Sequence, residues 1–409
     1  MSGFVVSRGS AAQDFVSRRG PDLKRTVEIE GYVFTHFLAN VTGDRAPQPF
    51  VDGDVVCLYD GEIYSHPEAG TDPGILTSLY RRHGADLFRH LDGEYAMALY
   101  DFGRRILVLG TDAFATKPLF SRGAETASYE SALGGGDRAA PNTVTVVDLV
   151  TGRGRSRIVE PFDFDRQHKE SYDDWTVAFE RAVERRATEG CYLPLSAGYD
   201  SGALDCALRA LGADYKAYSI EGKENVELLE RRNRQGVVLA MTQETFDEEL
   251  AFLRAHAEKA TYRAVDFLGE RRRKDLLDDR ATCGLALIHS LAGAEGRKVF
   301  LSGQGADETV AACRHWPGTR FPERLEPWPD FDGNWQTAYL TKEELVGGAF
   351  GAEGRYPYLD RAVVQEFLWL APELKNRYYK APLHEYMTRR GYPFDENVKT
   401  GFNPLPLAR

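Results

Sequence analysis

Leu193-Pro194-Leu195-Ser196-Ala197-Gly198-Tyr199-Asp200-Ser201-Gly202 decides how this chain reads, taken together with Leu301-Ser302-Gly303-Gln304-Gly305-Ala306-Asp307-Glu308 further along. Each stretch is an apolar strand that runs into a turn of small residues carrying an acidic group, and a helical pattern follows. Two such turns, side by side at the carboxyl edge of one parallel sheet, would make a triphosphate cradle. Small residues let backbone N–H groups approach phosphate oxygens, and the helix N-termini that follow favour negative charge. Asp200 and Asp307 would then hold the Mg2+ that bridges those phosphates. The two turns point to an ATP-consuming enzyme.

Working outward, strands near 191–195, 215–220, 237–241 and 298–302 alternate with helices near 202–211, 224–234, 244–258 and 279–293. Such alternation implies an α/β domain with a parallel sheet and crossover connections. Pro194 is awkward inside a central strand, because it removes a ladder donor. Upstream, Ser171 can cap a helix whose Trp175, Ala178, Phe179, Ala182 and Val183 share one face, with Gly190 as its stop. Before that lie short β-like runs such as Asp54-Val55-Val56-Cys57-Leu58-Tyr59 and Arg105-Ile106-Leu107-Val108-Leu109, separated by Gly and Asp turns, with one helical pattern over 75–83. This reads as an antiparallel-rich α+β domain. A polar stretch over 151–170 marks the boundary, giving domains at 1–160 and 170–409. The last hundred or so residues read as helical and irregular.

At 409 residues the chain has room for two or three domains. Hydrophobic content of 43% supplies a sizeable core without disulfide staples. The net charge of −11 argues against a general binder of nucleic acid or acidic membrane, so an anionic substrate needs a local basic pocket. Five scattered cysteines without a CxxC pair fit thiols in a reducing cytoplasm better than disulfides or zinc. No signal-peptide core and no membrane-length apolar run is present. The run Arg271-Arg272-Arg273-Lys274 reads as a solvated helix face.

The first of these turns resembles the pyrophosphatase-type loop of the asparagine synthetase superfamily, and residues 302–308 resemble its second loop. The likeness continues through Glu353-Gly354-Arg355-Tyr356-Pro357-Tyr358-Leu359-Asp360, Ala371-Pro372-Glu373-Leu374-Lys375 and Lys399-Thr400-Gly401-Phe402. It also reaches the first domain. There Asp60-Gly61-Glu62-Ile63-Tyr64-Ser65, Leu91-Asp92-Gly93-Glu94-Tyr95 and Thr116-Lys117-Pro118-Leu119-Phe120 resemble the family's glutaminase-type domain, in the same order. The resemblance implies an N-terminal αββα sandwich joined to an α/β ATP-pyrophosphatase domain. It places Ser196, Gly198, Ser201, Ser302 and Gly303 at the nucleotide, Asp200 and Asp307 on magnesium, and Lys380 and Lys399 at the α-phosphate and pyrophosphate.

Departures from the family pattern sharpen the expectation. Family glutaminases begin Met-Cys-Gly, and the cysteine attacks glutamine, but this chain begins Met1-Ser2-Gly3. A thiol with pKa about 8.5 supplies some thiolate at neutrality, whereas a serine hydroxyl supplies essentially none without a base. The family's glutamine-binding asparagine is Asp60 here, and the arginine that clamps the glutamine carboxylate is replaced near Phe37. Together these changes describe a silenced glutaminase. Gln304 stands where ammonia-using synthetases have glutamate and β-lactam-forming relatives have tyrosine. A carboxamide takes no proton at neutral pH, so Gln304 would orient substrate and Glu353 would take the amine proton.

The resemblance therefore implies an ATP-dependent ligase that adenylates a carboxylate and couples it to an amine, on one small molecule or peptide or between two, as in specialised metabolism. An ammonia-using synthetase and a non-catalytic nucleotide-binding relative are the competing readings. Nucleic acid and membrane are not expected partners. A homodimer is compatible with the family, but the sequence itself is silent on oligomeric state. Trp316, Trp328 and Trp335 fall where relatives place substrate contacts, and a core role fits them equally.

Overall fold

The β-like runs of the first domain become two six-stranded sheets in the computed structural model. The structure describes the chain apart from residues 1, 10, 42–45, 71–73, 223–224, 234–235, 266–268, 312–319, 397, 399–401, 403 and 405–409. Lys399, Trp316 and Cys313 lie outside the described residues. Contacts divide the chain into two units. One holds Met1–Pro161 with His256–Glu258 and Gly347–Glu353; the other holds Phe162–Ala255, Lys259–Val346 and Gly354–Arg409.

In the first unit, one sheet runs Asp137–Arg138, Phe120–Arg122, Glu125–Ala127, Ser2–Ser7, Tyr32–Leu38, Leu23–Ile29. The other runs Gly154–Ile158, Thr143–Asp148, Ile106–Thr111, Gly93–Asp101, Val55–Ile63, Phe50–Asp52. Neighbouring strands are antiparallel throughout. Period-2 alternation sends the two faces of the second sheet into different cores. Val56, Leu58, Ala96, Ala98 and Leu107 meet Phe4, Val6 and Phe34 of the first sheet. Val55, Cys57, Tyr59, Met97 and Val108 instead meet Leu76 and Tyr80 of the helix Gly74–His83. On the far side, the helix Asp14–Arg19 lies so close that a Cβ on Gly3 would sit 2.7 Å from Val16 Cγ1. The result is a helix–sheet–sheet–helix sandwich.

The second unit is built on a five-stranded sheet ordered Val237–Ala240, Tyr215–Glu221, Cys191–Pro194, Val299–Leu301, Glu353–Arg355. The pairings from Val237–Ala240 through to Val299–Leu301 are parallel. The intervening helices are Tyr199–Leu211, Val226–Arg232, Gln243–His256 and Ala281–Ala294. Pro194 is tolerated because it is the last residue of its strand, and the Leu195 N–H resumes pairing on the Tyr218 carbonyl at 2.8 Å. The helix expected after Ser171 spans Asp173–Arg186 and buries Trp175, Phe179, Ala182 and Val183; the Ser171 hydroxyl accepts the Asp173 N–H at 3.3 Å. The basic run over 271–274 corrects the reading as a helix face. It is the strand Arg271–Asp275, paired antiparallel with Thr261–Val265. No helix among the described residues is long and apolar enough to cross a membrane.

Candidate active site

Strand order reverses beside Cys191–Pro194. The chain first moves outward through Tyr215–Glu221 and Val237–Ala240, then returns to lay Val299–Leu301 on the opposite side. Open α/β sheets leave a crevice at such a switch point, outside the carboxyl ends of the strands. Residues 196–201 leave one flanking strand and residues 302–307 leave the other. Glycine lets the two loops touch, because a Cβ on Gly303 would lie 2.9 Å from the Asp200 Cβ. Within the first loop, Ser201 Oγ accepts the Ser196 N–H at 2.9 Å and Ser196 Oγ accepts the Gly198 N–H at 3.1 Å. In the second, Ser302 Oγ accepts the Gln304 N–H at 3.0 Å. The Tyr358 hydroxyl donates to the Asp200 carbonyl at 2.7 Å.

These loops open into a cavity of about 440 Å³, a size suited to a small molecule. Ser196, Gly198, Asp200, Ser201, Ser302, Gly303, Gln304, Asp307 and Lys380 all line it. Lys380 enters at the start of the helix Ala381–Arg389, in the left-handed backbone region at φ 48°. Its ammonium is paired with Asp307 Oδ1 at 2.8 Å and with Asp200 Oδ1. The Lys380 side chain is 2% exposed, against 26% for Asp200 and 28% for Asp307, so the carboxylates face the cavity and the ammonium underlies them. Burial alone would lower the Lys380 pKa; the two aspartates outweigh it and hold the amine charged, well above its ordinary value. Two carboxylates lining one cavity, with phosphate oxygens to complete the shell, are a donor set that magnesium takes, so Asp200 and Asp307 fit it.

Several functional groups were not anticipated from the sequence. Glu308 lines the cavity, is nearly fully buried, and accepts a hydrogen bond from Gln304 Nε2 at 2.9 Å. Trp328 Nε1 donates to the Glu308 carbonyl at 2.6 Å, so this tryptophan supports the second loop. Burial, and then the neighbouring Asp307 charge, push the Glu308 carboxyl up to about 8. The Lys342–Asp279 ion pair at 2.9 Å also lines the cavity, with Tyr339, Glu343 and Lys274. Behind the first loop, the fully buried Arg232 donates to the carbonyls of Ser196 and Gly198, each at 2.8 Å, and to that of Pro393 at 2.9 Å. Gly202 makes this brace possible, since a Cβ there would lie 2.9 Å from the guanidinium.

Glu353 is fully buried at the start of the strand Glu353–Arg355 and is not among the residues that line the cavity. Lys399 lies outside the described residues, although Val398 and Phe402 on either side of it line the cavity.

In the first unit, the Ser2 N–H donates to Asp60 Oδ1 at 2.8 Å. Arg19 Nε donates to Asp60 Oδ2 at 2.7 Å and to the Ser2 carbonyl at 3.0 Å. Ser2, Asp60 and Arg19 are all buried. Arg19, which makes this pair, belongs to the helix Asp14–Arg19.

Comparison with known proteins gives two family matches. Residues 7–135 match a glutamine amidotransferase domain, and residues 175–330 match asparagine synthase. Among relatives, a putative glutamine-hydrolysing asparagine synthetase of Methanocaldococcus jannaschii is 25% identical over 387 residues, covering 81% of this chain and 69% of that protein. The glutamine-hydrolysing asparagine synthetase of Cricetulus griseus is 23% identical, covering 88% and 74%. An amidase of Penicillium rubens is 29% identical over 132 residues, covering 28% of this chain and 20% of the amidase.

Proposed function

This chain belongs to the asparagine synthetase superfamily, and from that premise we propose that it adenylates a substrate carboxylate with ATP and joins the acyl group to an amine other than glutamine-derived ammonia. One observation carries this reading. The two acidic turns at the switch point converge on a single cavity and share the Lys380 ammonium. A carboxylate oxygen attacks the α-phosphorus, the bond to the pyrophosphate oxygen breaks, and pyrophosphate leaves. The amine then attacks the acyl carbon, the bond to the AMP oxygen breaks, and the amine proton must go to a base. Such activation suits the making of specialised metabolites.

This chain's residues divide that work. Magnesium, when bound at Asp200 and Asp307, would neutralise phosphate charge. Ser196, Gly198, Ser201, Ser302 and Gly303 shape the phosphate cradle. Lys380 supplies a fixed positive charge beneath it, in a site where such charge acts strongly. Glu308 takes the amine proton, oriented by the Gln304 amide. Equilibrium titration with α,β-methylene-ATP tests the cradle: saturable, magnesium-dependent binding is expected, and no binding would remove the reading.

The Glu308 assignment fixes a pH dependence. Glu308 must be ionised to accept a proton, and because burial, and then the neighbouring Asp307 charge, hold its carboxyl above the ordinary glutamate value, the ionised fraction rises with pH across the neutral range. Over that range kcat/KM for amide formation is expected to climb with pH, by at most about tenfold per unit. Glu308→Gln should remove both the slope and most of the rate. A flat profile through pH 8 would reassign the base.

Glutamine is not the nitrogen source on this reading. Incubated with glutamine, with or without ATP, the protein is expected to release no glutamate above the buffer rate in a dehydrogenase-coupled assay. Glutamate release proportional to enzyme would show that Ser2 retains a working hydrolase.

A further inference from the structure

The cavity wall continues into a basic ribbon that splitting ATP does not require. Thr261–Val265 and Arg271–Asp275 form a two-stranded antiparallel sheet in which Arg263 stands directly opposite Arg273, and Val265 opposite Arg271. Tyr262 and Ala264 are buried, so the alternation turns Arg263, Arg273 and Arg271 to solvent. Like charges facing each other across a ladder destabilise it. Among the described residues, neither Arg263 nor Arg273 makes an ion pair that would relieve this repulsion.

The ribbon is nonetheless held in place. The Asn334 side chain accepts the Val265 N–H at 2.6 Å and donates to the Val265 carbonyl at 2.8 Å, acting as a short extra strand. Lys274 belongs both to the ribbon and to the cavity lining, so the basic strip is continuous with the site.

We propose that this ribbon docks an acidic polypeptide segment whose own carboxylate or amine enters the cavity as substrate. Length argues for a polypeptide. Five strand residues span about 16 Å, well beyond what a free amino acid in the cavity needs. The open edge argues for an extended conformation. Among the described residues no strand pairs with the outer edge of Arg271–Asp275, which leaves main-chain groups for strand addition. Cations along that edge repel a second copy of the ribbon and attract a strand of opposite charge. Nucleic acid fits less well, because a long polyanion meets the −11 charge of the whole chain, whereas a short acidic segment stays within about 10 Å of the strip, where screening is weak.

This assignment rests on the ligase reading, and its test is kept separate from turnover. The probe is a fluorescein-labelled peptide of about ten alternating aspartates and glutamates, with its asparagine–glutamine counterpart as control. Both are titrated against the full chain by anisotropy. The acidic peptide is expected to bind and the amide peptide to fail. The double change Arg263→Glu with Arg273→Glu should weaken binding about tenfold or more, while magnesium-dependent binding of α,β-methylene-ATP stays unchanged and certifies the fold. No acidic-peptide binding, or binding indifferent to the charge reversal, would mean that the cations only protect an open strand edge, and the proposal fails. Stronger binding by a single-stranded oligonucleotide of equal charge overturns it in favour of nucleic acid. Peptide binding without nucleotide splitting would sink the ligase reading and spare the strip; nucleotide splitting without peptide binding would do the reverse.

Discussion

Asp200→Ala is expected to lower substrate-dependent pyrophosphate release by about 10³-fold or more, the scale at which a preorganised charged group contributes to a closed polar site. Asp200 lies in the first turn of the helix Tyr199–Leu211, and its carboxylate shares Lys380 with Asp307. Truncation removes one of the two oxygen donors that fit magnesium and leaves a buried ammonium with a single partner. The backbone should stay in place, because Tyr358 holds the Asp200 carbonyl and that bond needs no side chain. The loss should therefore appear in the initial rate, with only a small change in melting temperature. Asp307→Ala should behave alike, and the double variant should lose far less than the product of the two single effects, since both carboxylates serve one cation. A variant of Asp200 that keeps more than about a tenth of the wild-type rate contradicts this assignment.

Arg232→Ala should have the second largest effect, and its signature differs. Arg232 reaches the carbonyls of Ser196 and Gly198 on the first loop and that of Pro393 from one buried guanidinium. Removing it strips charged donors from buried acceptors and leaves Asp205, also buried, without part of its positive surroundings. A destabilisation of about 3 kcal/mol is expected from such a loss, together with a rise in the KM for ATP as the phosphate loop relaxes. Arg232→Lys should not rescue, because one ammonium cannot hold the Ser196 and Gly198 carbonyls, both on Nη1, and at the same time reach the Pro393 carbonyl that Nε holds. Gly202→Ala offers the gentler test, since its Cβ would press the guanidinium from 2.9 Å. Its KM for ATP should rise while the protein still folds. Wild-type KM in both Arg232→Ala and Gly202→Ala would show that the brace does nothing for nucleotide binding.

Local patterns carried most of the fold. Strand–helix alternation located the parallel sheet, and the period-2 runs of the first unit located its sandwich, because both depend on neighbours along the chain. The ribbon was misread because Arg271-Arg272-Arg273-Lys274 has no apolar period, so helix and strand look alike in it. The cradle residues were legible as two motifs. What lay behind them was not. Arg232 contacts Ser196 across 36 positions, and Arg19 contacts Asp60 across 41, distances over which no sequence pattern operates. Glu308 stood inside a quoted motif, yet its proton affinity comes from burial and from Asp307, and burial becomes visible only in the packed chain.

The most direct test of the account is the identity of the phosphorus products when the full chain turns over α-labelled ATP with magnesium and acidic peptides that also carry an amine. AMP and pyrophosphate should form in equal amounts, only when a carboxylate substrate is present, and in step with the amide. ADP and orthophosphate in their place, or nucleotide breakdown indifferent to any carboxylate, would contradict it.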